Sequence, residues 1–171
     1  FDVNQEVLWI MTSNHELALH MAIRAHNSQG ACLLLQRMVQ SDSIYEVYSE
    51  LNMTPGQEPI PLLQFALMHA MGSRFLRSVL EIFPRAASIM YDDKLPLVTA
   101  LEHGYPMRKL NRIIQAYPEA VKMATGDGDL PLHLAALYYT DKTVVELLLN
   151  EYPHAATVAN CHAQLPLHCA M

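Results

Sequence analysis

Hydrophobic positions recur along this chain in matching blocks. Each block opens with an apolar run built around Leu-Pro-Leu or a variant of it, and a second apolar run follows. The opening runs occupy 17–23, 61–67, 95–101, 130–136 and 165–171, and the alanines they share are Ala22, Ala66, Ala100, Ala135 and Ala170. The steps between these alanines are 44, 34, 35 and 35 residues. Periods of this size are typical of stacked repeats, in which each unit buries its apolar face against its neighbours.

Two helices are predicted in each repeat. In the block that starts at 130, Pro131 suits the first turn of a helix, because no intrahelical partner awaits its missing N–H and its φ is already helical. A first helix is predicted over 132–139, and a second, densely apolar helix over 142–151. The positions ten and thirteen residues beyond the shared alanine predict the core: Cys32, Leu76, Leu110 and Val145, then Leu35, Val79, Ile113 and Leu148.

An aromatic-proline pair closes the second helix of three repeats. The pairs are Phe83-Pro84, Tyr117-Pro118 and Tyr152-Pro153. Because a proline disfavours α geometry at the residue before it, the helix is predicted to stop at the aromatic residue. Turn-rich links follow over 88–94, 122–129 and 157–164, and we expect them to form short hairpins or loops, here called fingers.

The pattern predicts an all-α fold: an α-solenoid of stacked helix–turn–helix repeats with short hairpin or loop fingers. We expect a single array over 1–171, divided into a cap-like N-terminal helix (1–13), repeat 1 (14–40), an insertion (41–59), repeat 2 (60–94), repeat 3 (95–129), repeat 4 (130–164) and the start of repeat 5 (165–171). The insertion accounts for the long first step. Because the fifth block stops inside its first helix, we expect the chain to be a fragment of a longer protein.

Composition narrows the classes of partner. With 17 acidic and 11 basic side chains the formal charge is −6, the wrong sign for a protein that neutralises phosphates, so no nucleic-acid partner is expected. No stretch approaches the roughly 18 to 20 apolar residues of a membrane-spanning helix, so no membrane span is expected. Three cysteines, an odd number without disulfide-framework spacing, favour a reducing intracellular compartment, the cytoplasm first.

Two runs resemble a known repeat family. Gly128-Asp129-Leu130-Pro131-Leu132-His133-Leu134-Ala135-Ala136 and Val144-Val145-Glu146-Leu147-Leu148-Leu149 are similar to the ankyrin repeat, with its Thr-Pro-Leu-His-x-Ala-Ala helix start and Val-Val-x-Leu-Leu-Leu second helix. The resemblance extends over about 14–171. It implies an L-shaped stack of ankyrin-like repeats with a concave helical surface and a protein-binding role without catalysis.

This chain departs from the family pattern at two places. Leucine stands at 95, 130 and 165 where the family has threonine, so the hydroxyl that helps to close the turn is absent. The aromatic-proline closure lengthens the unit from about 33 residues to 34 or 35. We therefore expect the links between units to differ in shape from the family consensus.

The candidate partner-binding residues fall on two surfaces. An acidic edge is predicted along the finger tips, where it could dock a basic segment of a partner or remain a solvated edge; its members are Glu58, Asp92, Asp93, Lys94, Asp127, Asp129 and His162. The ends of the first helices offer amphipathic aromatic anchors for the concave face; these are His103, Tyr105, Tyr138 and Tyr139. A basic patch around Arg74 and Arg108 is a further exposed face, with solvation as its default role.

Metal and catalytic chemistry are the weaker interpretations. His20, His133 and His168 share one position in their repeats, but Gln64 and Val98 interrupt that row, and the resemblance implies local hydrogen bonds instead. Cys161-His162 and His168-Cys169 supply zinc-type ligands at a spacing that matches no common zinc site. No nucleophile elbow, metalloprotease motif or phosphate loop is present, so no cofactor, metal or catalytic residue is predicted.

The function predicted from the sequence is a non-catalytic protein–protein interaction module that presents a concave helical face and acidic finger loops to a partner protein. Two alternatives stay open at this point. The array could be a permanent structural subunit of a large assembly, or the targeting region of an enzyme whose catalytic domain lies elsewhere.

Overall fold

The fold is all-α, as the repeat pattern predicts. The computed structural model describes residues 18–40, 60–139 and 142–170, and these ranges contain nine α-helices, three 3₁₀ helices and no β-strand. The helices are α1 (Ala18–Arg24), α2 (Ser28–Gln40), α3 (Leu62–Met68), α4 (Ser73–Ile82), η1 (Pro84–Ser88), α5 (Pro96–Glu102), α6 (Met107–Ala116), η2 (Pro118–Lys122), α7 (Pro131–Tyr138), α8 (Lys142–Glu151), η3 (Pro153–Thr157) and α9 (Pro166–Cys169).

The chain divides into two compact units, with the boundary between Ile82 and Phe83. The predicted cap helix over 1–13 and the insertion over 41–59 lie outside the described residues. The boundaries of the individual repeats, and the solenoid that they would form, stay predictions.

The first unit contains α1 to α4. Here α1 packs on α2, α2 packs on α4, and α3 packs on α4. The core residues Ile23, Leu35 and Phe75 are completely buried. One polar link crosses the unit, because the backbone N–H of Gly72 donates to Ser28 Oγ at 3.3 Å.

The second unit places its helices in two rows. The first helices of the repeats pack in the order α5, α7, α9, while the second helices α6 and α8 pack on each other and on α5 and α7 respectively. Leu97, Leu110, Ile113 and Leu148 are buried between the rows. Three of these belong to the core predicted from the sequence, and the fourth, Leu97, opens α5.

Proline starts the first helices, as predicted. Pro96, Pro131 and Pro166 occupy the first turns of α5, α7 and α9, after a leucine in extended conformation. In α7 the ring of His133 replaces the missing threonine hydroxyl, since its Nδ1 accepts a hydrogen bond from the backbone N–H of Leu130 at 3.1 Å. His168 Nδ1 accepts the equivalent bond from Leu165 at 2.9 Å.

Most first helices end in a left-handed residue. His26, Ala70 and Gly104 have φ of 53°, 51° and 66° and follow α1, α3 and α5. Each closes the helix with two reversed hydrogen bonds; after α5, Gly104 N–H donates to the carbonyl of Leu101 and Tyr105 N–H to that of Ala100, both at 3.0 Å. This is the Schellman arrangement, which satisfies the last carbonyls of a helix. Helix α7 differs, because Tyr139 has φ −113° and ψ 124° there.

The aromatic-proline pairs stop the second helices at the predicted residues. Phe83, Tyr117 and Tyr152 have ψ between 72° and 85°, outside the helical region, as expected for a residue that precedes proline. Each pair then opens a one-turn 3₁₀ helix, η1, η2 or η3, which the sequence pattern had merged with the link. The alanines Ala86, Ala120 and Ala155 are buried there.

The three fingers share one backbone feature. The first finger is Tyr91–Lys94, the second runs over 125–129 and the third over 160–164. Asp93, Gly128 and Ala163 lie 35 residues apart and all have positive φ, at 55°, 76° and 58°. In the first finger, Tyr91 and Lys94 exchange two backbone hydrogen bonds of 3.0 Å, which makes it the smallest possible hairpin.

Candidate functional site

An exposed cluster of charged and apolar side chains lies where the first finger meets the ends of α5 and α7. Lys94 Nζ donates to both carboxylate oxygens of Glu102, at 2.8 and 2.9 Å. Leu137 and Tyr138, at the end of α7, keep 56% and 50% of their surface exposed. We call Asp92, Lys94, Glu102, Leu137 and Tyr138 the Tyr138 surface.

Electrostatics bind this surface together. The hydrogen bond to Glu102 raises the pKa of Lys94, and the charges of Glu102, Asp92 and Tyr138 act in the same direction against a smaller opposing effect of burial. Lys94 is therefore fixed as a cation between two carboxylates and a phenol. A fixed ion pair beside two exposed apolar side chains is a composition common at protein interfaces, where aromatic residues are enriched.

Tyr105 and Tyr139 belong to the interior, unlike the exposed anchors expected from the sequence. Only 4% of Tyr105 is exposed, and burial raises its pKa to about 12. The hydroxyl of Tyr139 donates to the backbone carbonyl of Tyr105 at 2.8 Å, and burial raises the pKa of Tyr139 to about 12 as well. The ammonium of Lys109 lies 4.4 Å from the centre of the Tyr105 ring. These two rings hold α7 against the turn that follows α5, so they offer a partner little accessible surface.

His103 stays accessible at the end of α5. Its ring is exposed, and Nδ1 donates to the carbonyl of Thr99 at 2.8 Å. This bond fixes the ring beside Glu102, at the edge of the Tyr138 surface.

The second and third fingers interlock. Asn160 Nδ2 donates to Asp129 Oδ1 at 2.8 Å, and the backbone N–H of Cys161 donates to the carbonyl of Asp127 at 3.1 Å. The side-chain oxygen of Asn160 also accepts from the N–H groups of His162 and Gln164, at 3.0 and 2.9 Å. Asn160 is 9% exposed, so this buried amide organises both fingers. The carboxylate of Asp129 is consequently engaged inside the protein.

His133 joins α7 to the third finger. Its Nδ1 accepts from Leu130, so the neutral ring carries its proton on Nε2, which donates to the carbonyl of Gln164 at 3.1 Å. The local hydrogen-bonding role expected for this histidine is confirmed. His20 and Gln64, at the equivalent positions in the first unit, are buried.

The structure thus separates the predicted site residues into groups. Asp92, Asp93, Lys94, His103 and Tyr138 are wholly or partly accessible, on or beside the Tyr138 surface; Asp127, Asp129 and His162 belong to the interlocked fingers; Tyr105 and Tyr139 face inward. Glu58 lies outside the described residues. That any of these residues binds a partner stays a prediction.

An apolar cleft in the second unit was missed by the sequence reasoning. It has a volume of about 390 Å³. Its walls come from α7, α8, η3 and α9, and its lining consists of Leu132, Ala136, Tyr139, Lys142, Val145, Leu149, Ala156, Pro166, Leu167 and Ala170. Leu167 is 73% exposed at its edge. A leucine within the fifth Leu-Pro-Leu run was the available signal, but the sequence pattern treats that position as an ordinary helix start.

The cysteines and histidines of 161–169 form no metal cluster in the parts of the chain that the structure describes. All three cysteines are free thiols, with Cys32 buried, Cys161 exposed and Cys169 half-buried. Burial and the charge of Asp129 raise the pKa of the Cys169 thiol. His168 Nδ1 is occupied by its bond from Leu165.

None of the helices in the described ranges is both long and apolar enough to cross a membrane. No protein-family model matches the chain, and no curated protein matches it. By contrast, 209 chains of solved structures match, so the fold is widely shared and does not itself specify a function.

One solved match comes from a complex of two proteins. It is described as "Bd0816 Predatory Endopeptidase from Bdellovibrio bacteriovorus in complex with immunity protein Bd3460". The likeness has a TM-score of 0.68 at 16% sequence identity, and covers 95% of this chain and 77% of the other. At this identity the likeness establishes a shared fold.

This finding overturns the function predicted from the sequence. A non-catalytic module with a concave face and acidic finger loops was expected, together with two alternatives, a structural subunit and a targeting region. The matching fold instead comes from a complex between an endopeptidase and an immunity protein. The bond from Asn160 to Asp129 also removes one member of the acidic edge from solvent contact. The predicted function is therefore corrected.

Proposed function

We propose that this chain is an immunity-type protein, which binds an enzyme and holds it inactive. The observation that carries the proposal is the fold that the chain shares with a member of the endopeptidase–immunity protein complex, over 95% of its length. The enzyme bound by this chain is proposed to be a peptidase, and the chain itself has no catalytic role in the proposal.

The proposed architecture is a stack of ankyrin-like repeats. Three features support it: the left-handed residues at 93, 128 and 163, the proline starts of α5, α7 and α9, and the packing order of the first helices in the second unit. Each recurs at the 34- or 35-residue step of the sequence pattern. Such a stack would form a surface that continues from repeat to repeat, suitable for binding a folded protein.

The Tyr138 surface is the proposed contact site. Tyrosine and leucine side chains that are half exposed at the end of a helix lose water on binding, and a central tyrosine often contributes most of the binding energy. The Lys94–Glu102 pair is already formed in the free protein, so little side-chain entropy remains to be lost when a partner covers it. A preformed pair beside an aromatic anchor favours a rigid contact with a folded enzyme.

A site-specific photo-crosslinker tests the proposal. The crosslinking amino acid replaces Tyr138 in one variant and Gln115, an exposed residue of α6, in the matched control. Both are exposed in cells of the source organism to ultraviolet light, and the crosslinked protein is identified by mass spectrometry. We expect one dominant peptidase at position 138 and none at 115.

The identified enzyme is then assayed with purified protein. Its peptide hydrolysis should fall on addition of the wild type, and Tyr138→Ala should weaken the inhibition by about 2 kcal/mol, or roughly 30-fold in Kd. Equal crosslinking at both positions would refute the proposed surface. A crosslinked partner whose activity is unchanged by saturating wild type would refute the immunity-type function.

A further inference from the structure

The apolar cleft of the second unit is distinct from the Tyr138 surface, and neither Leu137 nor Tyr138 lines it. Its walls include the half-buried side chains of Val145 and Leu149 on α8 and the exposed Leu167 on α9. An apolar concavity of this volume is large enough for several aliphatic side chains.

The packing inside the second unit shows which kind of element fits such a place. Helix α7 packs on α5, and α8 packs on α6, so each helix pair is covered by the next pair. On the far side, α9 covers α7. No described element of this unit stands on α8 as α8 stands on α6. The uncovered position is therefore shaped for a helix that resembles α8.

The charges around the cleft restrict the occupant further. Lys142 is the single charged residue among the lining residues, and no carboxylate lines the cleft. Lys142 Nζ lies 3.3 Å from Glu146, and its side chain is 83% exposed, so its ammonium is available to a second carboxylate. A helix with an acidic residue near this lysine would be favoured over a basic one.

We propose that the cleft binds an amphipathic helix of a partner protein, with apolar residues spaced as Val144 and Leu148 are on α8 and with a carboxylate opposite Lys142. The apolar face would enter between α8 and α9, in the helix-in-groove mode, with anchors at i and i+3 or i+4. This second contact is independent of the proposed immunity-type function. It would remain if the Tyr138 surface bound nothing.

A peptide derived from this chain is a suitable probe. Residues 142–157 contain α8 and η3, the elements that cover α6 and α7 within the unit, and they carry Glu146 and Glu151. A fluorescein-labelled peptide of this sequence is titrated with the whole protein and followed by fluorescence anisotropy. Leu167→Glu places a charge at the edge of the cleft, and Leu137→Glu is the matched control at a similarly exposed leucine outside it.

We expect wild type and Leu137→Glu to bind the peptide with the same Kd, and Leu167→Glu to bind at least tenfold more weakly. Lys142→Glu should weaken binding severalfold, with less effect at high salt. Circular dichroism of each variant shows whether the fold is intact, and the exposure of Leu167 makes its substitution compatible with folding. Absence of peptide binding to the wild type, or equal binding to Leu167→Glu, would overturn the proposal.

Sedimentation equilibrium separates a second possible occupant. A concentration-dependent dimer of the wild type that Leu167→Glu abolishes would place a second copy of this chain in the cleft and overturn the assignment to a partner protein. A monomer that binds the peptide supports the assignment.

Discussion

The interlock between the second and third fingers depends on the absence of a side chain at Gly128. Its φ of 76° is unfavourable for other residues, and a Cβ atom built there would lie 2.8 Å from Cys161 Sγ and 2.9 Å from the Cys161 backbone nitrogen. The thiol can rotate away. The nitrogen cannot move easily, because its N–H donates to the carbonyl of Asp127 at 3.1 Å.

Gly128→Ala is therefore expected to combine two penalties. A left-handed alanine costs about 1–2 kcal/mol, part of which is offset by the lower entropy of alanine in the unfolded chain. Forcing a methyl group against fixed backbone adds about 1–3 kcal/mol. The sum is about 3 kcal/mol, which for a chain of this size lowers Tm by roughly 6–12 °C.

Two other glycines separate these penalties. Gly104 has φ 66° and no atom within 4 Å of the position that a methyl group would take, so Gly104→Ala should show the conformational cost alone, about 1 kcal/mol. Gly126 also has open space and no positive φ, so Gly126→Ala should be neutral or slightly stabilising. Thermal and urea unfolding followed by circular dichroism at 222 nm rank the three variants. Equal losses in Gly128→Ala and Gly104→Ala would show that the contact with Cys161 is unimportant and would refute the reasoning.

Three further predictions follow from single contacts. Ala163→Gly relieves the φ of 58° and should stabilise the protein by about 1 kcal/mol in the same unfolding assay, where destabilisation would contradict the left-handed geometry. Tyr139→Phe removes the donor to the Tyr105 carbonyl and should cost about 1–2 kcal/mol, while a neutral result would mean that water replaces the hydroxyl. Burial, Arg24 and a neighbouring histidine lower the pKa of His69, so the unfolded chain takes up the proton first as pH falls below about 6.5. Stability should therefore be lost from that pH downward, and His69→Gln should reduce the slope of Tm against pH; an unchanged slope would refute this linkage.

Much of the fold could be predicted from the sequence because the local signals agree with each other. Pro131 marks a helix start, Tyr152-Pro153 marks a helix end, and the apolar spacing between them has a helical period. The 3₁₀ helices were missed because their five residues are too short to show a period. The inward position of Tyr105 was also missed, since its neighbours His103 and Gly104 suggest an exposed turn and only the later Tyr139 hydroxyl shows where its carbonyl is directed.

The end of α7 is where the repeat pattern fails, and it is also where the candidate contacts lie. Helices α1, α3 and α5 end with a left-handed residue and two reversed hydrogen bonds, whereas α7 continues into Tyr138 and an extended Tyr139. Without the tight reversal, Tyr139 reaches the Tyr105 carbonyl and forms one wall of the cleft, while Tyr138 stays beside Lys94. A segment that breaks the local rules of its own fold without a gain in core packing is a reasonable place to expect function. Replacing Tyr138-Tyr139 by the His-Gly sequence that follows α5 would restore the common ending and remove both features together, so binding at the two surfaces should be lost while the helices remain.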